Sequence, residues 1–236
     1  MDEQPLDCLV IGAGIAGLLG ARLFKAAGLN VLILEKGRGL GGRMATRRRN
    51  GAIFDHGAQF FTVRDARFGS WMEGWREHGM VLPWYDLDGA EVHYRGVPSM
   101  TAIAKHLAED LNVRREIRVD CVRYDEGRWH VRTEDGRAET AWSLLLTAPI
   151  PQSLSLLNAG HVMIDSDDLT KLQSISYHRC IAALAILDGP SALTKHGGAL
   201  KLADEPIQWI GDNQRKGVSP SVPAVTIHST PAFAEA

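Results

Sequence analysis

A glycine-punctuated segment near the start of the chain constrains the fold more than any other feature. Leu6 to Ile11 is a short apolar run, and the turn Gly12-Ala13-Gly14-Ile15-Ala16-Gly17 follows it directly. Leucines then recur at helical spacing up to Ala27, and a second apolar run, Val31 to Leu34, ends at Glu35. The pattern predicts a strand, a tight turn, a helix and a second strand parallel to the first.

The spacing of the three glycines predicts that this turn binds a dinucleotide. In the pattern Gly-x-Gly-x-x-Gly, the first glycine allows the tight turn, the second lets the backbone approach a pyrophosphate, and the third lets the helix pack on the strand. The first amides of the helix and its positive dipole end attract an anion. Glu35 lies where a carboxylate binds the adenosine ribose and repels a 2′-phosphate. The alternative is a glycine-rich turn without a ligand.

The composition excludes several classes of protein. The chain has 236 residues, 45% of them hydrophobic and 23% charged, which is typical of a globular protein with one large domain or a large domain carrying an insertion. A net charge of −2 gives no general attraction for nucleic acid, and we interpret Arg47-Arg48-Arg49 as a solvated face. No apolar stretch reaches the roughly 20 residues of a membrane helix. No spacing of His, Cys and Asp indicates a metal site.

The cysteines and the first residues predict a cytoplasmic protein. Cys8, Cys121 and Cys180 are scattered and show no Cys-x-x-Cys pair, which is typical of reduced thiols. The segment from Met1 to Pro5 is acidic and lacks the basic start and the apolar stretch of a signal peptide.

The rest of the chain alternates between helical and strand-like patterns. A hairpin is predicted at Asp88-Gly89, and Pro149 and Pro151 are predicted to end regular structure. The predicted helices are Phe68 to His78, a helix after the N-cap Ser99 up to Leu111, and a helix from Leu169. The predicted strands are Ile117 to Tyr124, Trp129 to Thr133 and Ala141 to Leu146, which form a meander feeding back into the main sheet, then Cys180 to Leu187 and Ala224 to His228.

Several further segments resemble one family of flavoproteins. Arg38-Gly39-Leu40-Gly41-Gly42-Arg43 resembles the second glycine motif of the superfamily that contains amine oxidases and renalases. Asp55-His56-Gly57-Ala58-Gln59-Phe60-Phe61-Thr62 resembles the Asp-x-Gly-Ala-Gln-aromatic segment of renalases and bacterial renalase-like oxidoreductases. Similar segments are Leu144 to Gln152, Trp209 to Lys216 and Thr226 to Thr230, so the resemblance extends over essentially the whole chain.

The resemblance implies FAD as the cofactor and assigns residues to it. Arg43 would reach the pyrophosphate as a fixed cation, although a solvated surface arginine is the alternative. Gln59 and Phe60 would lie against the flavin, and the backbone of Val119 would contact the adenine. The full set of predicted FAD contacts is Gly12, Ala13, Gly14, Ile15, Ala16, Gly17, Glu35, Lys36, Arg38, Gly42, Arg43, Ala58, Gln59, Phe60, Val119, Thr147 and Ala148.

The resemblance also implies the domain organisation. We expect an α/β fold, with a Rossmann-type FAD-binding domain of the glutathione-reductase-like, amine oxidase type and an inserted α+β substrate domain. The predicted FAD-binding parts are residues 1–70 and 113–160, and the predicted substrate-domain parts are 71–112 and 161–236. Members of the family end with a further strand, a Gly-Asp pair at a helix N-terminus and a closing helix. We expect this chain to stop short of them, because Gly211-Asp212 precedes turn residues instead of an apolar helix.

The implied activity is oxidation of isomeric dihydro forms of NAD(P) by hydride transfer to the flavin, with O₂ as acceptor and H₂O₂ as product. This chemistry needs no general base, and the sequence identifies no catalytic residue. One alternative is a flavin amine oxidase, with Trp84, Tyr94 and Trp209 either lining its pocket or filling a core. Another alternative is a nucleotide-binding module without turnover. The sequence does not predict the oligomeric state.

Overall fold

The chain forms two compact units in a computed structural model, which describes residues 5–86, 91–203 and 205–236. The first unit combines the residues up to Gly42 with Ala104–Tyr177, and the second combines Arg43–Ile103 with His178–Ala236. These limits differ from the predicted domain boundaries at residues 70, 112 and 160. The predicted boundaries stay a prediction.

Strands and helices alternate along the described residues. The strands are β1 (Leu6–Ile11), β2 (Val31–Glu35), β3 (Thr46–Arg49), β4 (Ala52–Asp55), β5 (Val81–Asp86), β6 (Val92–Gly96), β7 (Asn112–Arg115), β8 (Val119–Asp125), β9 (Arg128–Thr133), β10 (Ala138–Leu146), β11 (Ala182–Ile186), β12 (Ala199–Lys201), β13 (Ile207–Asp212) and β14 (Ala224–Ser229). The helices are α1 (Ile15–Ala26), α2 (Ala66–Glu77), α3 (Met100–Ala108), α4 (Ile150–Ala159), α5 (Ser166–Gln173) and α6 (Pro231–Glu235). Short 3₁₀ turns lie at Gly42–Met44 and His196–Gly198.

The first unit is built on a six-stranded sheet with the order β7-β2-β1-β10-β9-β8. Strand β1 pairs in parallel with both β2 and β10, whereas β8, β9 and β10 form an antiparallel meander. Both the parallel βαβ unit and the meander that returns to the main sheet are confirmed. Leu9, Leu32 and Val122 are fully buried in one apolar cluster, so the parallel strands and the meander share a core.

Helix α1 has the length and the end signals that its sequence predicts. Leu18 and Ala21 are fully buried, and they belong to the apolar stripe of the helical pattern. The helix ends at Ala26, and Gly28 has a φ of +83°, a left-handed conformation that glycine adopts without strain at this place.

The prediction that Pro149 and Pro151 end regular structure was wrong. Helix α4 begins directly after Pro149, which is its N-cap, and Pro151 lies in its first turn. The first amides of a helix have no partner within the helix, so a proline there loses no hydrogen bond and its fixed φ favours the helix. The arginine run forms the predicted solvated face, because the side chains of Arg47–Arg49 are exposed along strand β3.

The second unit contains an antiparallel sheet with the order β11-β14-β13-β12 and two hairpins, β3 with β4 and β5 with β6. Phe54 and Ala52 on β4 and Ala224 on β14 are buried together in an apolar cluster. The predicted turn at Asp88-Gly89 lies outside the described residues, and the strands on either side of it pair antiparallel.

The described residues contain neither a membrane-spanning helix nor a cluster of metal ligands. None of the helices within residues 5–86, 91–203 and 205–236 has the length and apolar character to cross a membrane. In the same ranges, no group of three or more His, Cys, Asp or Glu side chains is placed to hold a metal ion.

Candidate dinucleotide site and aromatic cavity

The glycine turn between β1 and α1 depends on glycine at two positions. Gly12 has a φ of +106°, a conformation that side chains rarely adopt. A Cβ atom on Gly17 would lie 2.1 Å from the carbonyl oxygen of Gly12, so any side chain there would push the helix off the strand. Thr147, directly after β10, closes this turn, since its Oγ1 donates to Ile11 O at 2.9 Å.

The N-terminus of α1 is open to a ligand. Gly14 is the N-cap, no side chain caps it, and no acidic residue lies in the first turn. A Cβ atom on Gly14 would meet nothing within 4 Å, so there is space beside the helix end. Free amides, a positive dipole end and space together fit a phosphate group.

Glu35 is fixed beside the same turn. Its Oε2 accepts from the amide of Ala13 at 2.8 Å, and its Oε1 accepts from the amide of Gly37 at 2.6 Å. The start of the meander also reaches this place, because Ile117 N donates to Glu35 O at 3.0 Å. The carboxylate is therefore held at the end of β2, where it fits the ribose of a dinucleotide.

The second glycine segment runs alongside the first. Gly41 N donates to Ala13 O at 2.9 Å, and Gly41 forms a bridge with Gly14. A Cβ atom on Gly42, which has a φ of +53°, would lie 3.6 Å from Gly14 Cα. The structure thus brings together, in one unit, the predicted residues from Gly12 to Gly17 with Glu35 and Gly42.

Other predicted FAD contacts of the first unit have partners of their own. Lys36 Nζ donates to Gln152 Oε1 at 2.9 Å. The carbonyl of Arg38 accepts from Arg115, and that of Ala148 accepts from Ser153 Oγ. Val119 begins β8 and packs on the cluster that contains Leu9 and Leu32. Their contacts with a dinucleotide stay predictions.

The remaining predicted contacts, Arg43, Ala58, Gln59 and Phe60, belong to the second unit. Ala58 N donates to Arg43 O at 2.8 Å, and a Cβ atom on Gly57 would lie only 2.0 Å from the same carbonyl. Glycine at position 57 therefore allows the two backbone segments to touch. The role of Arg43 toward a pyrophosphate stays a prediction.

An aromatic cavity of about 440 Å³ lies in the second unit. Tyr85 and His93, a cross-strand pair on β5 and β6, stack with ring centres 4.3 Å apart. Phe60 meets His93 edge-on at 4.4 Å, and Trp209 packs against Phe60 at 5.5 Å. Burial raises the pKa of the Tyr85 phenol, which keeps the ring neutral. The lining residues are Gly57, Ala58, Gln59, Phe60, Tyr85, His93, Lys201, Leu202, Gln208, Trp209 and His228.

Of the three aromatic residues that the sequence singles out for a pocket, Trp209 lines this cavity. Trp84 packs beside it, with its ring centre 6.0 Å from that of Trp209, and donates from Nε1 to Gly197 O at 3.0 Å. Tyr94 lies elsewhere, since it stacks on Phe61. Tyr94 therefore packs among other aromatic side chains, which agrees with the alternative that it fills a core instead of lining the pocket.

Two polar atoms of the cavity residues are buried without a hydrogen-bond partner. They are Gln59 Oε1 and Trp209 Nε1, whose residues are 5% and 8% exposed. Gln59 Nε2 is occupied, because it donates to the carbonyls of Asp55 and Gly57. A buried polar group without a partner costs about 1–3 kcal/mol.

A buried ion pair anchors the segment that carries Gln59. Lys216 Nζ donates to Asp55 Oδ2 at 2.8 Å, and both side chains are fully buried. Asp55 Oδ1 accepts from Thr46 Oγ1 at 2.7 Å and from Met100 N at 3.1 Å. Burial lowers the pKa of Lys216, and the Asp55 carboxylate opposes this shift. The pair fixes Asp55, whose carbonyl in turn holds the Gln59 side chain.

Sequence reasoning missed Tyr85, His93 and Lys216. The first two are neighbours only through the pairing of β5 with β6, and the register of these strands shifts between Pro83 and Tyr85. Lys216 follows Arg215 in a polar turn, a pattern typical of exposed residues. Its burial depends on Asp55, 161 residues away, which no local pattern indicates.

Comparisons with known proteins agree with this architecture. A family model described as an NAD(P)-binding Rossmann-like domain matches residues 10–83. The putrescine oxidase structure with bound putrescine is similar to this chain with a TM-score of 0.77 at 13% identity, over 98% of this chain and 77% of that one. This likeness and the Rossmann-like family model confirm the predicted fold class, a Rossmann-type α/β fold.

Curated relatives match at low identity or over short stretches. Mouse renalase (Mus musculus) is 25% identical over 246 residues, which cover 95% of this chain and 72% of renalase. Protoporphyrinogen oxidase 2 of Arabidopsis thaliana is 39% identical over 64 residues, 27% of this chain and 13% of that protein. This chain thus spans only a small part of the oxidase that it matches. The comparisons support the predicted enzyme class and cofactor, an oxidoreductase that binds FAD.

Proposed function

We propose that the chain binds FAD and oxidises a small molecule by hydride transfer to the flavin. The observation that carries this proposal is the turn from Gly12 to Gly17, with an uncapped helix N-terminus beside the fixed carboxylate of Glu35. The amides of α1 would hold the pyrophosphate, and Glu35 would hold the adenosine ribose. A 2′-phosphate at that ribose would meet the carboxylate, so FAD fits this place better than an NADP-type nucleotide.

For the substrate we propose a dihydronicotinamide, an isomeric form of NAD(P)H, with O₂ as the electron acceptor. The resemblance to renalases and the match to mouse renalase along most of this chain support this choice. When bound, the flavin supplies a hydride acceptor at N5. The aromatic side chains of the cavity would hold a planar ring and keep water away from it. Dihydronicotinamide, O₂ and one proton would give oxidised nicotinamide and H₂O₂.

An amine substrate is the second candidate. The cavity is lined by Phe60, Tyr85 and Trp209, side chains that also suit an alkyl amine, and the fold is similar to that of a putrescine oxidase. The aromatic lining alone does not choose between the two substrates, but the bound flavin can report on both.

We also propose a cytoplasmic location, because Cys8, Cys121 and Cys180 are all free thiols.

Reduction of the bound flavin tests the substrate. The purified protein is loaded with FAD and mixed without oxygen with isomeric dihydronicotinamides, with ordinary NADH and with a panel of amines. We expect loss of the oxidised-flavin absorbance with a dihydronicotinamide. Loss with amines alone would favour the amine oxidase, and a protein that refuses FAD would contradict the proposal as a whole.

A variant of Glu35 tests the cofactor site. Glu35→Gln removes the negative charge that would bind the ribose, and it forces an amide N–H toward Ala13 or Gly37. Because a hydrogen bond to a charged group contributes about 1.5–3 kcal/mol, the Kd for FAD should rise about tenfold or more. Glu77→Gln, an exposed substitution on α2, serves as the control and should leave this Kd unchanged.

A further inference from the structure

A row of side chains crosses the four-stranded sheet of the second unit at the aromatic cavity. Trp209 on β13 lies opposite Lys201 on β12 and opposite His228 on β14. Directly opposed residues of antiparallel strands project from the same face of a sheet. All three residues line the cavity, so the indole of Trp209 has a basic side chain on each side.

The ionisable side chains that line the cavity are basic or neutral. They are Lys201, His93, His228 and Tyr85, and no Asp or Glu of the described residues belongs to the lining. Burial raises the pKa of the Tyr85 phenol, so this group stays neutral. The carboxylate of Glu91, two residues before His93, is paired with Arg64 at 2.8 and 3.0 Å. The cavity lining therefore offers no counter-charge to a cationic ligand.

Lys201 is the lining residue that can bind an anion without giving up another contact. Its side chain is exposed, and among the residues that the structure describes no hydrogen bond or ion pair occupies its ammonium group. Lys216, in contrast, is fully buried and paired with Asp55. An ammonium group is a compact charge with three donors, which suits the oxygens of a phosphate.

We propose that Lys201 binds the phosphate of a nicotinamide nucleotide whose ring occupies the aromatic cavity. Phe60 and Tyr85 would surround the ring, and the phosphate would stay solvated because Lys201 is exposed. This inference rests on the proposed function and deepens it. It favours a nucleotide over an amine as the substrate, since an alkyl ammonium ion would meet only basic or neutral side chains in the cavity.

Equilibrium binding of unreactive analogues tests the phosphate contact. Tetrahydronicotinamide mononucleotide has an uncharged ring that gives up no hydride, and the corresponding riboside differs from it only in lacking the phosphate. Both are titrated against the protein with and without FAD. At low salt the nucleotide should bind about two- to fivefold more tightly than the riboside, the range of one exposed ion pair. High salt should reduce this preference by screening the charges. Equal affinities at low salt would overturn the proposal.

Substitutions of Lys201 assign the preference to this side chain. Lys201→Met removes the charge and keeps an unbranched chain, so the ratio of the two affinities should fall close to one and lose its salt dependence. Lys201→Arg keeps the charge and should keep the preference. Lys105→Met, at an exposed position of α3 in the first unit, is the matched control, because it removes the same charge and should leave the ratio unchanged. A preference that survives Lys201→Met would overturn the proposal.

Further outcomes separate this inference from the proposed function. If putrescine binds more tightly than the nucleotide, the cavity accepts a cation and the inference is refuted. If Lys201→Met lowers the affinity for FAD and leaves the ratio unchanged, Lys201 serves the cofactor, and the inference is again refuted. If the nucleotide is preferred through Lys201 but no dihydronicotinamide reduces the flavin, the proposed oxidation fails while the phosphate contact stands.

Discussion

Asp55 and Lys216 meet as two opposite charges with no exposure to water. Removing one partner leaves the other charge buried and uncompensated, which typically costs about 3–5 kcal/mol. We therefore expect Lys216→Met and Asp55→Asn each to lower the free energy of unfolding by about this amount. Urea denaturation would measure the change.

The exposed pair of Arg64 and Glu91 provides the comparison. Its groups are solvated, so Arg64→Met should change the unfolding transition little. A double variant of Asp55 and Lys216 should be less destabilised than the sum of the single variants, because it leaves no unpaired charge. Strict additivity of the two single effects would contradict the coupling of these residues.

His56 makes the stability depend on pH. Burial, and then the nearby Arg47 guanidinium, lower the pKa of His56 below its ordinary 6.5, and the smaller effects of Asp55 and His228 oppose each other. The folded chain thus releases this proton at a pH where the unfolded chain still holds it. The contribution of neutral His56 is present in full above pH 6.5 and is lost as the pH falls through the lowered pKa.

The prediction is that His56→Gln makes the stability less sensitive to acid. Urea denaturation at about pH 7.5 and at about pH 5 brackets the titration of an ordinary histidine. The wild type should lose more stability between the two conditions than the variant does. His178→Gln, at an exposed position, should behave like the wild type. An unchanged pH dependence in His56→Gln would show that other groups govern acid stability.

At the scale of elements, the turn between β8 and β9 carries an unfavourable residue. Glu126 and Gly127 have φ values of 49° and 76°, and glutamate rarely adopts the left-handed conformation that asparagine tolerates. Glu126→Asn should therefore stabilise the hairpin by a few tenths to about 1 kcal/mol. Thermal unfolding would report the gain. Glu134→Asn, in the next turn at a residue without a positive φ, should give no such increase.

The elements that the sequence predicts are those with local signals. The helix α1 and strands β1 and β2 follow from apolar spacing and glycines, and these signals act between neighbouring residues. Helix α4 was missed because prolines were interpreted as breakers, although the first turn of a helix accepts them. Strand β3 was missed because Arg47–Arg49 have no apolar alternation, and the strand depends on pairing with β4.

The candidate sites also contain residues that local sequence signals predict and residues that only distant contacts bring together. The turn from Gly12 to Gly17 and Glu35 were predictable, because the ligand pattern lies within one βαβ unit. The cavity was only partly predictable. A motif indicates Gln59 and Phe60, whereas the sequence leaves open whether Trp209 lines a pocket or fills a core. Tyr85 and His93 join it through the pairing of β5 with β6, which the sequence does not reveal.

For the whole molecule, FAD should act as a stabilising ligand. A cofactor that binds only the folded chain raises the free energy of unfolding by about 2.7 kcal/mol at a concentration one hundred times its Kd. We expect the melting temperature to rise with FAD concentration and to rise little with NADP⁺, because Glu35 repels its 2′-phosphate. Differential scanning fluorimetry checks both ligands. A larger shift with NADP⁺ than with FAD would refute the cofactor assignment.

The parallel pairing of β1 with β10 cannot form until late in the synthesis of the chain. Thr147, directly after β10, bonds to Ile11 at the end of β1 across 136 residues of sequence. A ribosome that adds about 5–20 residues per second needs on the order of 7–27 seconds to cover that interval. During this time β1 has no partner strand on the edge that pairs with β10 in the folded protein. Until the later strand emerges, the backbone groups on that edge of β1 lack the partners that β10 provides in the folded sheet.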